Sequence, residues 1–567
     1  MKLIFVEYLA SLKERGELDV IMPDLLSEIG LSVISRPAIG TKQYGVDVAA
    51  VGADDKGVQK IFLLSIKSGD LRRSAWDVGQ QSLRTSLNQI LDVYVPTHIP
   101  ERYRSLPVVI VLCLGGELHE DVRTDVLGFM DRNTNKSVKF EVWNGDHLAG
   151  LLLSGVLREN ALPKTWQSDF RKSVALVDEP DLSFGHFCRF VANIADACKA
   201  NRPARLTAIR QIYLGLWTLY VWARTADNIE AAYLCGERAV LVAWSLLKDH
   251  LAGKSKPARQ LKQLMERLIA LHVLIADDYI ASYVKPRAKI RHGLSSAVPS
   301  QSHLDVNLRL FDLVGRMGIR GLWLSYLADR LSQDGNAKEK EIVGDALERT
   351  AQLLTGMIQN NPILLTPIKD NQAIDINIAC LFLDRTGYCD VIQHWIGQVA
   401  QATMFAFQSQ GPYPCIYGEY RDLVDHPRDD DEYRIEATAG SLLVPTLAVW
   451  AAITADPVTL KLLADFTVGP YNHSTLQLWY PGSDTETHLY RNSANHGLTD
   501  TGLHIQRSCK AMLSPIKLEC EASAAFTSLS AVSYGLWPLV ILACRHHRVP
   551  VPPHFWPLSG PTIDSAC

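Results

Sequence analysis

The 567-residue sequence predicts an α/β N-terminal domain, a mixed sheet flanked by helices, followed by a large and mainly α-helical region. Three observations carry this. Strand-like and helix-like patterns alternate over roughly the first 155 residues; helical periodicity prevails from about Leu182; and no repeat of fixed period or low-complexity tract points to a solenoid. A chain of this length exceeds what one hydrophobic core usually serves. The expected domains are residues 1–172, a helical region 180–335, and a mainly helical region 336–567 with some short strands.

The order of elements follows from local patterns. "MKLIFVEYLASLKERGELDV" is amphipathic and reaches charge too soon for a signal peptide. It opens a helix from Lys2 to about Gly30, with Pro23 as the candidate break. The strand-like runs "LSVISRP", "GVDVAAVG" and "KIFLLSIK" come next, the last two joined by "ADDKG", whose Asp and Gly suit a tight hairpin. A helical segment, "SAWDVGQQSLRTSLNQILDVYV", precedes "LPVVIVLCLGG", a continuous apolar strand buried on both faces. "LHEDVRTDVLGFMDRN" reads as a charged helix, and "SVKFEVWNGDHLAGLLLSGVL" as a strand feeding a helix. Beyond "ALPKTWQSDF" the pattern turns helical, with the polar breaker "SQDGNAKEKE" between the second and third regions.

Composition narrows the function classes. With 47% hydrophobic and 21% charged residues, this is an ordinary soluble chain. Its net charge of −4 excludes wholesale electrostatic attraction to nucleic acid, so any such binding needs a local basic patch. Eleven cysteines without a CxxC pair indicate reduced, mostly buried thiols and a cytoplasmic protein, not a disulfide framework or zinc site. "ATAGSLLVPTLAVWAAITA" (from Ala437) and "ASAAFTSLSAVSYGLWPLVILAC" (from Ala522) are uncharged and long enough to span a bilayer. Both are rich in Ala, Ser and Thr and interrupted by proline, so they are expected to be core segments, with no membrane partner.

One constellation stands out. Alternation along a strand places Ser65 and Lys67 on one face, with Leu63 behind them. Folding the hairpin brings Asp47 near that end. A carboxylate and an ammonium at the open end of a sheet form a candidate site for a hard metal and a phosphate, because Mg²⁺ takes few protein ligands and keeps waters, and an ammonium stabilises phosphoryl charge.

"GVDVAAVG…FLLSIKSGD" resembles the central motif of the PD-(D/E)xK, or restriction-endonuclease-like, superfamily, closest to Mrr-type and other defence-associated nucleases. "LLSEIGLSVISRP", "WDVGQQSLRTSLNQI" and "FEVWNGDHLAGLL" match the family's flanking elements, and the resemblance covers residues 1 to about 170. It implies that Asp47 is the metal ligand, Lys67 the catalytic lysine, Mg²⁺ (or Mn²⁺) the cofactor, and DNA the substrate, with RNA a further candidate. Gln80, with Gln81 beside it, falls where related nucleases place a glutamine near the metal. Lys42, Gln43, Arg72, Arg73 and Arg84 would line the same end of the sheet and meet phosphates.

The sequence departs from the family at Ser65, which stands where an acid or glutamine is usual. Three outcomes are open: Asp70, Asp19, Asp24 or Glu28 supplies the missing carboxylate; a backbone carbonyl and water suffice beside Asp47; or the fold grips nucleic acid without cutting it. The resemblance further implies an effector of prokaryotic anti-phage defence, self-associating or joined to other defence subunits, with a helical part for sensing or assembly. The alternative is a non-catalytic binder or scaffold.

Other signals carry less. No Walker A motif or GxGxxG turn occurs. "RAKIRH" (Arg287–His292) fits the loose R-x4-6-H spacing of HEPN ribonucleases, with Ala288 where a polar residue is expected. His546 and His547 are adjacent and face apart on a helix. "HPRDDDEYR" reads as an exposed acidic loop.

Overall fold

The computed structural model describes residues 5–6, 9–10, 12, 14–35, 43–54, 57–79, 82–155, 164–198, 202–251, 256–334, 337–494 and 496–559. Packing divides the chain into two compact units, Met1–Cys235 and Gly236–Cys567.

The first unit is built on a five-stranded mixed sheet: β1 (Ser32–Ser35), β2 (Val48–Ala53), β3 (Gln59–Lys67), β4 (Val108–Leu114) and β5 (Val138–Trp143), side by side in chain order. The first three strands run antiparallel, and β3, β4 and β5 run parallel. The parallel connections need crossovers, which helices provide. β4 is "VVIVLCL", buried at every position because strands flank it and helices cover both faces.

One face carries Ala49, Val51, Leu63, Ile110 and Leu112. It packs against Trp76 and the short helices α2 (Arg73–Asp77) and α3 (Leu83–Gln89), and against Val122, Val126 and Phe129 of α4 (Glu120–Asn133). Trp76 meets Phe129 edge to face at 5.6 Å. The other face is covered by α1 (Asp19–Glu28) and α5 (Gly145–Gly155), which touch each other. Each fully buried Val, Leu or Phe here contributes about 1.5–3 kcal/mol of transfer free energy.

Two local expectations are corrected. Pro23 does not break the N-terminal helix: it lies buried inside α1, and the irregularity falls earlier, in a π-turn over Glu14–Leu18. Pro23 is the fifth residue of α1, so the i−4 carbonyl that its missing N–H would have met is that of Asp19, the first residue after the π-turn. The single helix expected after β3 is two, α2 and α3, because Gly79 turns the chain at φ +90°.

The second unit is helical. Helix His303–Asp334 packs on Ala373–Arg385 and on Pro538–His547. Ala373 to Leu383 are all buried, as in a helix surrounded on every side. Its interior holds an ionic cluster around Arg545. One Nη donates to Glu237 at 2.6 Å and the other to Asp312, while Nε lies 3.6 Å from Asp375. His546 bonds Glu237 at 3.0 Å, and Arg548 bonds Asp375 at 2.8 Å. Gly315 makes the room: a Cβ there would lie 2.1 Å from the Asp375 carboxylate.

The first uncharged stretch lies in this core, and of the second only residues 538–544 are buried throughout; residues 522–528 include no buried one, a correction to the expected core segment. Leu443–Ile453 is a helix buried at every residue, and the second stretch is divided among Ala524–Ser528, Ser530–Ser533 and Pro538–His547. Among the described residues, no helix is long and apolar enough to cross a membrane.

Candidate functional site

The site lies where β2 begins and β3 ends. Gln43 to Val46 form a tight turn, the Val46 N–H donating to the Gln43 carbonyl at 3.1 Å. Its central residues, Tyr44 and Gly45, have φ of 50° and 83°. Two successive positive φ values characterise a type I′ turn, and a Cβ on Gly45 would press within 2.2 Å of the Ser86 carbonyl oxygen. That turn delivers Asp47. Its N–H donates to the Leu64 carbonyl at 2.9 Å, and its Oδ2 accepts the Ile66 N–H at 2.7 Å. Oδ1 has no donor among the described residues.

Lys67 is the last residue of β3. Its carbonyl accepts the Gly115 N–H at 2.9 Å, which fixes the strand end against the loop after β4. Its ammonium donates to both oxygens of Glu14, at 3.0 and 3.2 Å. The Lys67 side chain is 15% exposed.

Electrostatics links four groups. Burial pushes the Asp47 carboxyl up to about 6, against the Ile66 N–H and the Lys67 charge, which pull it down; Glu14 and Asp19 push it further up. Lys67 therefore does not neutralise Asp47, because Glu14 draws on the same ammonium. Among the described residues, then, Asp47 and Glu14 both act on the one Lys67 ammonium.

Residues expected from sequence are distributed as follows. Asp47 and Lys67 come together at one end of the sheet. Ser65 is 1% exposed and sealed in the interior. Asp19 lies within electrostatic reach of Asp47. Asp70 is engaged elsewhere, its Oδ1 accepting the Glu117 N–H at 2.9 Å. Gln43 is half-buried in the turn, its carbonyl holding Val46. Arg72 is exposed at the start of α2, Arg73 is 3.4 Å from Asp125, and Arg84 is exposed on α3. Lys42, Gln80 and Gln81, and the side chains of Asp24 and Glu28, lie outside the described residues.

Glu14 is the residue that sequence reasoning missed. It lies five positions before Asp19, a separation that shares a face only if the intervening turn is widened. The π-turn over Glu14–Leu18 provides that widening.

Among the described residues, no three His, Cys, Asp or Glu side chains converge closely enough to enclose a metal ion. Mg²⁺ does not need that, since it keeps several waters and takes one or two carboxylates. The Asp47 Oδ1, without a donor on an acid held half-protonated near pH 6, fits a cation of this kind, with Glu14 as second carboxylate. No family model matches the chain, and no curated protein or solved structure matches it either.

Proposed function

We propose that the N-terminal unit is a metal-dependent nuclease that hydrolyses phosphodiester bonds, with Asp47, Glu14 and Lys67 as its working groups. The observation that carries this reading is the under-compensated Asp47 carboxylate beside the Lys67–Glu14 pair at the end of β2 and β3. The strand order, with an antiparallel hairpin leading into a parallel pair, supports it through the family resemblance.

Asp47 and Glu14 would hold Mg²⁺ or Mn²⁺. When bound, the ion polarises the scissile phosphate and acidifies a water. The Lys67 ammonium offsets negative charge as it builds on the phosphate. Glu14 holds that ammonium in place by accepting from it with both oxygens. It thereby takes over, from a separate helix, the second acidic position that Ser65 leaves vacant. DNA is the proposed substrate, with RNA the variant of the same chemistry. By the resemblance, the setting is cytoplasmic defence against foreign nucleic acid, with the helical unit sensing or assembling.

The test is nicking of supercoiled plasmid, and cutting of a labelled RNA, with Mg²⁺ or Mn²⁺. Asp47→Asn and Lys67→Met should each lower the rate by at least about 100-fold. Cleavage that survives both substitutions removes the site. A wild-type chain that binds nucleic acid and never cuts it favours the binder reading, which the sealed Ser65 and the tied Lys67 ammonium support.

A further inference from the structure

We infer that the loop Lys285–His292 in the helical unit is a nucleic-acid docking surface that grips the phosphate backbone, separate from the Asp47 site. The inference starts from charge. In a chain of net charge −4, no acidic residue occurs between Asp278 and Asp305, while Lys285, Arg287, Lys289, Arg291 and His292 fall within eight positions.

A basic run is ordinarily a solvated, mobile strip, and this one is not. Val284, Ala288 and Leu294 anchor it, each fully buried. The helix Ala337–Asn360 and the residue after it clamp it. The Asn360 carbonyl accepts the His292 N–H at 2.7 Å, the Asn360 Nδ2 donates to the Ala288 carbonyl at 3.3 Å, and the Asn361 Oδ1 accepts the Ser295 N–H at 3.2 Å. His292 is held at φ 57°, in the left-handed region. Gly293 follows because a Cβ there would come within 2.6 Å of the Arg287 carbonyl oxygen. Strained non-glycine backbone of this kind clusters at functional sites.

The frame leaves its cations outward. Lys285, Lys289, Arg291 and His292 are exposed, and none has a side-chain partner among the described residues. Two acids on adjoining elements are engaged elsewhere: Asp277 with Arg320 at 2.6 Å, and Asp305 with Ser300 and Tyr420. Beside the loop, Tyr283 stacks on Tyr279 with planes 9° apart, and the Arg287 and Arg309 guanidinium groups lie 5.1 and 5.5 Å from its ring centre. Tyr279 is buried and Tyr283 half-buried, so this array braces the loop, and the rigid outward cations are what suit a phosphodiester chain. A membrane surface fits less well, because Ile290 is the one large apolar side chain exposed within the loop and no amphipathic face accompanies it.

The test measures binding of a labelled 20-nucleotide single strand, and of the matching duplex, to the full chain in EDTA, so that no cleavage is read. The triple variant Lys285→Gln, Lys289→Gln, Arg291→Gln should lose about tenfold or more in affinity near 100 mM salt, and its salt-dependence slope should fall by about 2 to 3. The single-strand and duplex arms identify which form docks. A control triple of the same charge change on an exposed helix face, Lys338→Gln, Lys340→Gln, Arg349→Gln, should bind as wild type within about twofold. Lys285→Arg with Lys289→Arg should retain binding, which separates charge loss from misfolding. Wild-type affinity in the loop triple, or equal losses in both triples, overturns the inference. Loop-dependent binding to phosphatidylserine vesicles without nucleic-acid binding also overturns it. None of these outcomes bears on whether Asp47 supports cleavage.

Discussion

Two buried carboxylates, Glu237 in the helical unit and Asp47 in the sheet unit, are treated oppositely. In the helical unit, Glu237 is 1% exposed, yet the Arg545 guanidinium beside it, with His546, holds its carboxyl well below the usual range. Around it three carboxylates, Glu237, Asp312 and Asp375, meet three guanidinium groups, those of Arg545, Arg316 and Arg548, although burial still pushes the Asp375 carboxyl up. In the sheet unit, Asp47 is less buried, but the cation beside it among the described residues, Lys67, is shared with Glu14, and burial wins. A compensated cluster holds helices together. An under-compensated one favours added positive charge, which is the role proposed for the cation at Asp47.

The comparison breaks most visibly at Arg545. Replacing it by methionine roughly keeps the volume and leaves the buried Glu237 with His546 alone, while Asp375 keeps Arg548. Removing one partner of a buried ion pair costs about 3–5 kcal/mol, so Arg545→Met should lower the denaturant midpoint of the helical unit sharply. Asp47→Asn should leave stability unchanged or raise it, because it removes an ionised group that burial disfavours. Urea titrations of the two variants decide this, and a mild Arg545→Met would show that the cluster is not compensation at all.

Much of the sheet was legible because its signals are local. Alternation and β-branched runs placed β2, β3 and β4, and the same alternation put Asp47 and Lys67 at one strand end. Glu14 was not legible, since its approach depends on a π-turn that no pattern of apolar residues announces. Gly79 was visible as a glycine, but only its positive φ shows that it divides one helix into two. The Arg545 cluster was invisible for another reason. "CRHHR" carries its charges in sequence, but the partners come from Glu237, Asp312 and Asp375, on three other helices more than 150 residues away. Charge compensation is a tertiary property.

A second way to sharpen the contrast is pH, because the two clusters carry opposite signs. Asp47 titrates near 3.9 when unfolded and at about 6 when folded. The unfolded chain ionises first, so this group's contribution is favourable at low pH and is lost as pH rises from about 4 to about 6. Discounted for partial exposure, it amounts to about 1–2 kcal/mol. His272 runs the other way. Burial holds it down to about 4, and His547 to about 3. Unfolded imidazoles protonate near 6.5, so their stabilisation is present above that value and lost as pH falls toward about 4. Hydrogen exchange at pH 7 and pH 5, corrected for intrinsic rates, should show β2 and β3 becoming more protected at pH 5 and Pro538–His547 less so. Asp47→Asn should erase the first trend and leave the second. Parallel movement of both units would end the distinction.

The finest test compares one deletion in both places. Glu237→Gln removes a carboxylate from a matched cluster and leaves Arg545 under-paired, so it should destabilise. Glu14→Gln removes one from an unmatched cluster at a partly exposed pair, and surface pairs of that kind contribute about 0–1 kcal/mol. Its stability should stay within about 0.5 kcal/mol of wild type. The consequence should appear instead in metal use. Without Glu14 the Asp47 carboxyl loses a neighbour that pushes it up, so it ionises at lower pH, while Lys67 turns from Glu14 toward Asp47 and competes with the cation. The Mn²⁺ concentration for half-maximal nicking should rise about tenfold, the scale on which loss of a supporting ligand is felt. An unchanged metal requirement would make Glu14 a mere partner of Lys67, and the acidic position left open at Ser65 would then have no occupant among the described residues.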